Sequence, residues 1–135
     1  MRGVLVCGLA LGVALGVSGC SAAGPVSDSQ ASVVASSLIS AATIAVQSEE
    51  DDRYCGIVAA DTALCENSWA SWMMQGSPLP DFDTLAVETE ALDDGTQKLT
   101  FTGEYVDGGS FTSEVIVTGT GDGPRATDPV FWIER

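Results

Sequence analysis

Polar and apolar side chains alternate without a break through the stretch that begins at Lys98. Leu99, Phe101, Gly103 and Tyr105 fall on one side, and Lys98, Thr100, Thr102 and Glu104 on the other. A period of two is the mark of a strand with one dry face. The next segment repeats it with Phe111, Val115 and Val117, and the preceding one sets Leu85, Val87 and Ala91 against Glu88 and Glu90. The connections Asp93-Asp94-Gly95 and Asp107-Gly108-Gly109 read as three-residue loops, each ending on a glycine that can take the left-handed bulge position. A two-residue loop at Asp94-Gly95 would set Ala91 opposite Lys98 and mix the faces, so the pattern selects the longer loop. It predicts the pairs Val87 with Phe101, Phe101 with Val115, Tyr105 with Phe111 and Gly103 with Ser113. On the wet face it pairs Glu90 with Lys98. A fourth strand is expected at Val130 to Glu134, after a glycine-rich turn from Gly119 to Asp128. Phe131 and Ile133 would then join the buried face, leaving Trp132 and Val130 with Ile116 as an apolar patch for a partner or for tolerated exposure.

Before the sheet the period changes. From Gln30 to Gln47, Val34, Leu38, Ala42 and Ala45, with Val33 and Ile44 alongside, fit one broad helical face, and Ser27 or Ser29 can cap it. A strand over Ala41 to Val46 is the competing reading. Four like charges, Glu49 to Asp52, suit a helix C-terminus badly and read as a solvated turn. They lack the alternating ligands and central glycine of a calcium loop. Tyr54 to Ala63 reads as a short helical turn. Glu66 and Asn67 suit the start of a second helix, on which Trp69, Trp72 and Met73 share a face, as a lid over the core or a wall for ligand stacking. Ser77-Pro78-Leu79-Pro80 stops it.

The first 19 residues carry one charge, Arg2, and then a Val-, Leu-, Ala- and Gly-rich run, the pattern of an export signal. An uncleaved anchor is the alternative, weakened by Gly8, Gly12 and Gly16. The run ends in Val17-Ser18-Gly19-Cys20, which resembles the lipobox of bacterial lipoproteins. That resemblance implies a diacylglycerol on the Cys20 sulfur, cleavage before it, and residence on the cell membrane facing the extracytoplasmic side. Residues 20–29 would be the lipidated cysteine and a flexible tether, and 30–135 a single domain.

Removal of the leader leaves 116 residues, enough for one core. Their 4 basic and 19 acidic side chains sum to −15. Such a surface repels phosphate, which excludes nucleic acid as a partner. With Cys7 in the leader and Cys20 assigned to lipid, Cys55 and Cys65 remain as an even pair in an oxidising compartment, where a disulfide is expected. A redox or zinc pair is the rival reading; the spacing is not C-x-x-C and the chain has no histidine.

These elements make an α+β domain with two helices packed on one face of a four-stranded antiparallel meander sheet. Their order resembles the cone-shaped nuclear-transport-factor-two-like and cystatin-like folds, whose curled sheet encloses a pocket. That likeness implies a pocket; the register leaves a shallow place at Gly103 on the inner face, which Trp69 or Trp72 would fill, and the alternative is a ligand cavity lined by Trp69, Trp72, Phe101, Gly103 and Tyr105. Without histidine neither a Ser-His pair nor an imidazole base can be built. The expectation is therefore a non-enzymatic envelope lipoprotein that binds a protein partner or a small apolar ligand, with no catalytic residue, cofactor or metal. The competing class is a cone-fold enzyme using a buried Asp or Tyr.

Overall fold

The structure is a computed structural model that describes residues 24–48 and 50–133. The leader and Cys20 lie outside the described residues. The chain runs α1 (Asp28–Ser48), α2 (Asp51–Val58), α3 (Thr62–Met74), β1 (Pro80–Ala91), β2 (Gln97–Tyr105), β3 (Ser110–Thr120) and β4 (Gly123–Ala126). The four strands form one antiparallel sheet in sequence order, which is an α+β fold with three helices where the pattern predicted two.

Ser27 opens α1 through a capping box. The Ser27 N–H donates to Gln30 Oε1 at 2.9 Å, and the Gln30 N–H donates to Ser27 Oγ at 3.3 Å. The buried face is narrower and smaller than the sequence suggested: Ala31, Ala35, Leu38, Ala42 and Ala45. Alanines let the helix lie close to its neighbours, and this rotation turns Val33 and Ile44 outward instead of toward the core. Ser32, Ser36 and Thr43 donate to carbonyls four residues back, so these poor helix formers keep their hydroxyls bonded within the helix. With 21 residues and a mean hydropathy of 1.5, α1 is by length and composition the one helix among the described residues able to cross a membrane. Here its alanine face is packed inside the domain.

Of the acidic run, Asp51 and Asp52 begin a helix rather than form a turn. Glu50 stands at the N-cap position of α2 without a side-chain cap bond, and Asp51 and Asp52 occupy its first turn, where negative charge meets the positive end of the helix dipole. A third start was also misplaced by the pattern: Asp61, whose Oδ1 accepts from the Leu64 N–H at 3.0 Å, caps α3 four residues ahead of Cys65. The Cys55–Cys65 disulfide joins α2 to α3, with both cysteines fully buried.

The first hairpin follows the expected register, including Val87 with Phe101 and Glu90 with Lys98. Lys98 Nζ pairs with Glu90 and stands 3.6 Å from Glu114 on the neighbouring strand. The Glu90 hydrogen bond raises the Lys98 pKa, with Glu114 adding to it. The second hairpin departs from expectation. Its loop also has three residues but starts one earlier, at Val106-Asp107-Gly108, so the partners shift by two. Phe101 faces Ser113, Leu99 faces Val115, and Gly103 faces Phe111. The parity survives because two positions are a full pleat. In both loops an Asp-Gly pair fills the second and third places, with Gly95 at φ 83° and Gly108 at φ 93°. Gly109 competes for that role in the sequence and stands just beyond it.

β1 carries an irregularity between Asp81 and Ala86 opposite Gly103. Thr84 Oγ1 closes it by accepting from the Glu104 N–H and donating to the Asp81 carbonyl. The fourth strand is the largest correction. It lies within the supposed turn, where Val117 pairs with Ala126 and Thr120 with Gly123. Val130, Phe131, Trp132 and Ile133 form no strand and no surface patch; all four are buried. Phe131 stacks on Phe101 of β2 with centroids 4.1 Å apart. Trp132 packs edge-on against Trp69, Trp72 and Tyr54. The tail is thus a layer between the helices and the sheet.

At the other end of the domain, residues 24–27 are docked. The Val26 N–H donates to the Gly95 carbonyl at 2.8 Å, and Gln97 Nε2 donates to the Val26 carbonyl and to Asp28 Oδ1, both at 3.0 Å. The tether expected over 20–29 therefore gives way to folded structure by Gly24.

Candidate functional site

Of the five residues expected to line a pocket, Trp69, Trp72 and Phe101 lie in the packed core with Tyr105 half-buried against it, and Gly103 is half-buried beside Leu85 and Phe111. Trp69, Trp72 and Phe101 are buried, and Trp132 fills the space between the two α3 tryptophans and α2. The Trp72 indole N–H donates to the Pro78 carbonyl. Leu85 and Phe111 take the place over Gly103: a β-carbon there would stand 2.9 Å from both Leu85 Cδ2 and Phe111 Cζ. Half-buried Tyr105 stands with its ring 5.1 Å from Phe111 and its hydroxyl on the Trp132 carbonyl.

Tyr54 is the tyrosine the sequence reading did not single out. Its hydroxyl donates to the Pro129 carbonyl at 2.7 Å. Burial, and then the charge of Asp128, push its pKa well above the ordinary tyrosine value. A phenol held this way keeps its proton and pins the tail. Asp128 in turn accepts from Ser68 Oγ through Oδ2 at 2.9 Å. Among the described residues no group of three His, Cys, Asp or Glu side chains is placed to hold a metal ion.

Open space lies elsewhere, where α1, the end of α2 and the β3–β4 turn meet. A cleft of about 440 Å³ has apolar walls from Val33, Val34, Leu38, Ile57, Val58 and Pro124. Ser29, Gln30, Ser37, Asp122 and Arg125 supply its polar groups. Ile57 also lines a smaller cleft of about 110 Å³ with Ala41 and Ile44, so the two depressions share a wall. The helix phase explains the placement. With alanines inward, Val33 is 65% and Ile44 64% exposed, and Ile57 of α2 is 58% exposed beside them.

β4 closes one end of the cleft and is itself fixed by the loop after α2. Ala59 bridges Ala126, and the Ala60 N–H donates to the Ala126 carbonyl at 2.7 Å. Arg125 Nη1 donates to the Gly56 carbonyl at 3.0 Å, close to the C-terminal end of α2. No family model, curated protein or solved structure matches this chain. The sequence signal for the cleft was the opposition of Val33 and Ile44 to the alanine stripe; Arg125 and Pro124 were hidden in a segment that looked like a turn.

Proposed function

We propose that the protein is a lipid-anchored cell-envelope binding module that takes a small apolar ligand in the cleft between α1, α2 and β4. The carrying observation is that cleft, whose volume falls in the range of small-molecule sites and whose rim exposes β-branched side chains to water. The lipobox-like Val17-Ser18-Gly19-Cys20 after an apolar leader supports the anchor, and the disulfide agrees with an oxidising compartment. The full chain and an Ile57→Glu variant, each purified from membranes and extracted with solvent, should differ in the apolar molecules found by mass spectrometry. Equal extracts would remove the ligand reading. Cys20→Ala should abolish lipid labelling and change processing; a variant that still took up lipid would remove the anchor.

A protein partner is the second reading, favoured by a separate apolar surface. Met73, Met74, Leu79 and Val106 are all exposed, and the Val106 N–H donates to the Leu79 carbonyl. Met74→Asp with Val106→Asp should abolish partner crosslinking in intact cells and leave the ligand extract unchanged.

A further inference from the structure

Resting on the cleft reading above, we infer that the ligand is an anionic amphiphile, a long acyl chain ending in a carboxylate, with its head on Arg125 and its chain along Val33, Val34 and Ile57. The chain carries 19 acidic side chains against 5 basic ones, so a basic group left without a carboxylate is conspicuous. Arg53 and Lys98 both have carboxylate partners, Glu50 and Glu90. Arg125 has none within 4.0 Å among the described residues, although Asp122 borders the same cleft.

Arg125 is half-buried, and its bonds to protein run through Nη1, to the Gly56 and Ala59 carbonyls. Its Nε and Nη2 have no hydrogen-bond partner among the described residues. A guanidinium anchored through one nitrogen, with its other donors spare, suits a carboxylate. The apolar wall beside it, with Val33 and Ile57 open to water, suits hydrocarbon, which would cover it. Neither feature alone selects an amphiphile; a neutral lipid would leave the guanidinium unpaired, and a small anion would leave Val33 and Ile57 in water. Ile57, shared with the Ala41 and Ile44 depression, gives the hydrocarbon a continuing path.

The test uses the full chain in membranes, with a photoactivatable long-chain fatty acid and the fatty alcohol of the same length. Labelled peptides are mapped by mass spectrometry, and oleate is the competitor. The fatty acid should label the peptides containing Val33 and Ile57, and oleate should suppress that labelling. Arg125→Gln should cut fatty-acid labelling about tenfold relative to alcohol labelling, and Arg125→Lys should restore part of it, the charge-assisted contact being the difference. Equal effects of Gln and Lys on both probes would show Arg125 to be only a brace for α2 and would overturn the head-group assignment. Alcohol labelling abolished by Ile57→Glu alongside that result would leave the cleft reading standing. Labelling by neither probe at these peptides would overturn both.

Discussion

Gly24 and Gly119 meet backbone to backbone: a β-carbon on Gly119 would overlap the Gly24 carbonyl oxygen and stand 3.0 Å from the Gly24 nitrogen. Only a glycine at 119 lets the chain entering the domain lie across the end of the sheet. Gly119→Ala should therefore lift residues 24–27 and lower stability by about 1–3 kcal/mol, as overpacking against rigid backbone does. Urea unfolding measures the loss. Amide exchange at Val26, whose N–H is held by Gly95, should quicken in the same variant.

The Cys55–Cys65 bridge closes a short loop, with a sequence separation of 10, between α2 and α3. Replacing both cysteines by alanine should lower stability by about 2.5–3 kcal/mol in the chain-entropy account. Reducing agent should shift the urea midpoint of the natural chain by a similar amount and leave the double variant unmoved.

Trp132 packs against three other aromatic rings besides its neighbour Phe131, and it is fully buried. Trp132→Ala should cost about 3–5 kcal/mol. Had Trp132 belonged to a surface patch, the change would stay within about 0.5 kcal/mol. Thermal unfolding followed by far-ultraviolet circular dichroism separates the two outcomes.

Tyr54 predicts an alkaline limit. Its folded pKa lies above the unfolded value of about 10, so its contribution is fully present below pH 10. Above that, the unfolded chain releases the proton while the folded chain holds it, and stability falls as pH rises through the folded pKa. Lys98, also raised, acts in the same direction as pH rises past its own ordinary value. The comparison with Tyr54→Phe isolates the phenol: that variant should show a shallower decline above pH 10, read from urea midpoints at a series of pH values.

What could be read from the sequence was whatever depended on parity. Leu99, Phe101, Phe111 and Val115 all lie on the dry face, because any three-residue loop preserves it. Which three residues form the second loop was not legible, since Gly108 and Gly109 both suit the left-handed place. The tail failed for a different reason. Val130-Phe131-Trp132-Ile133 has strand-like composition, but four consecutive apolar residues do not alternate, and a chain end inserted between two layers buries all four at once. Gly123–Ala126 is a strand of glycine, proline, arginine and alanine, a composition that argues against one. Arg125, the polar group on which the cleft turns, was lost with it.

The docked residues Gly24 to Ser27 give the domain a heading. Four peptide steps separate Cys20 from Gly24, a reach of at most about 14 Å. With lipid on Cys20, the end of the sheet bearing Gly95 and Gly119 would ride at the headgroups, and Met74 and Val106, the latter in the loop of the opposite hairpin, would point outward. A molecule anchored in that way would be moored rather than leashed: what it binds would have to come to the membrane surface, and the cleft beside α1, lined by Ser29 and Gln30, would open on the anchored side.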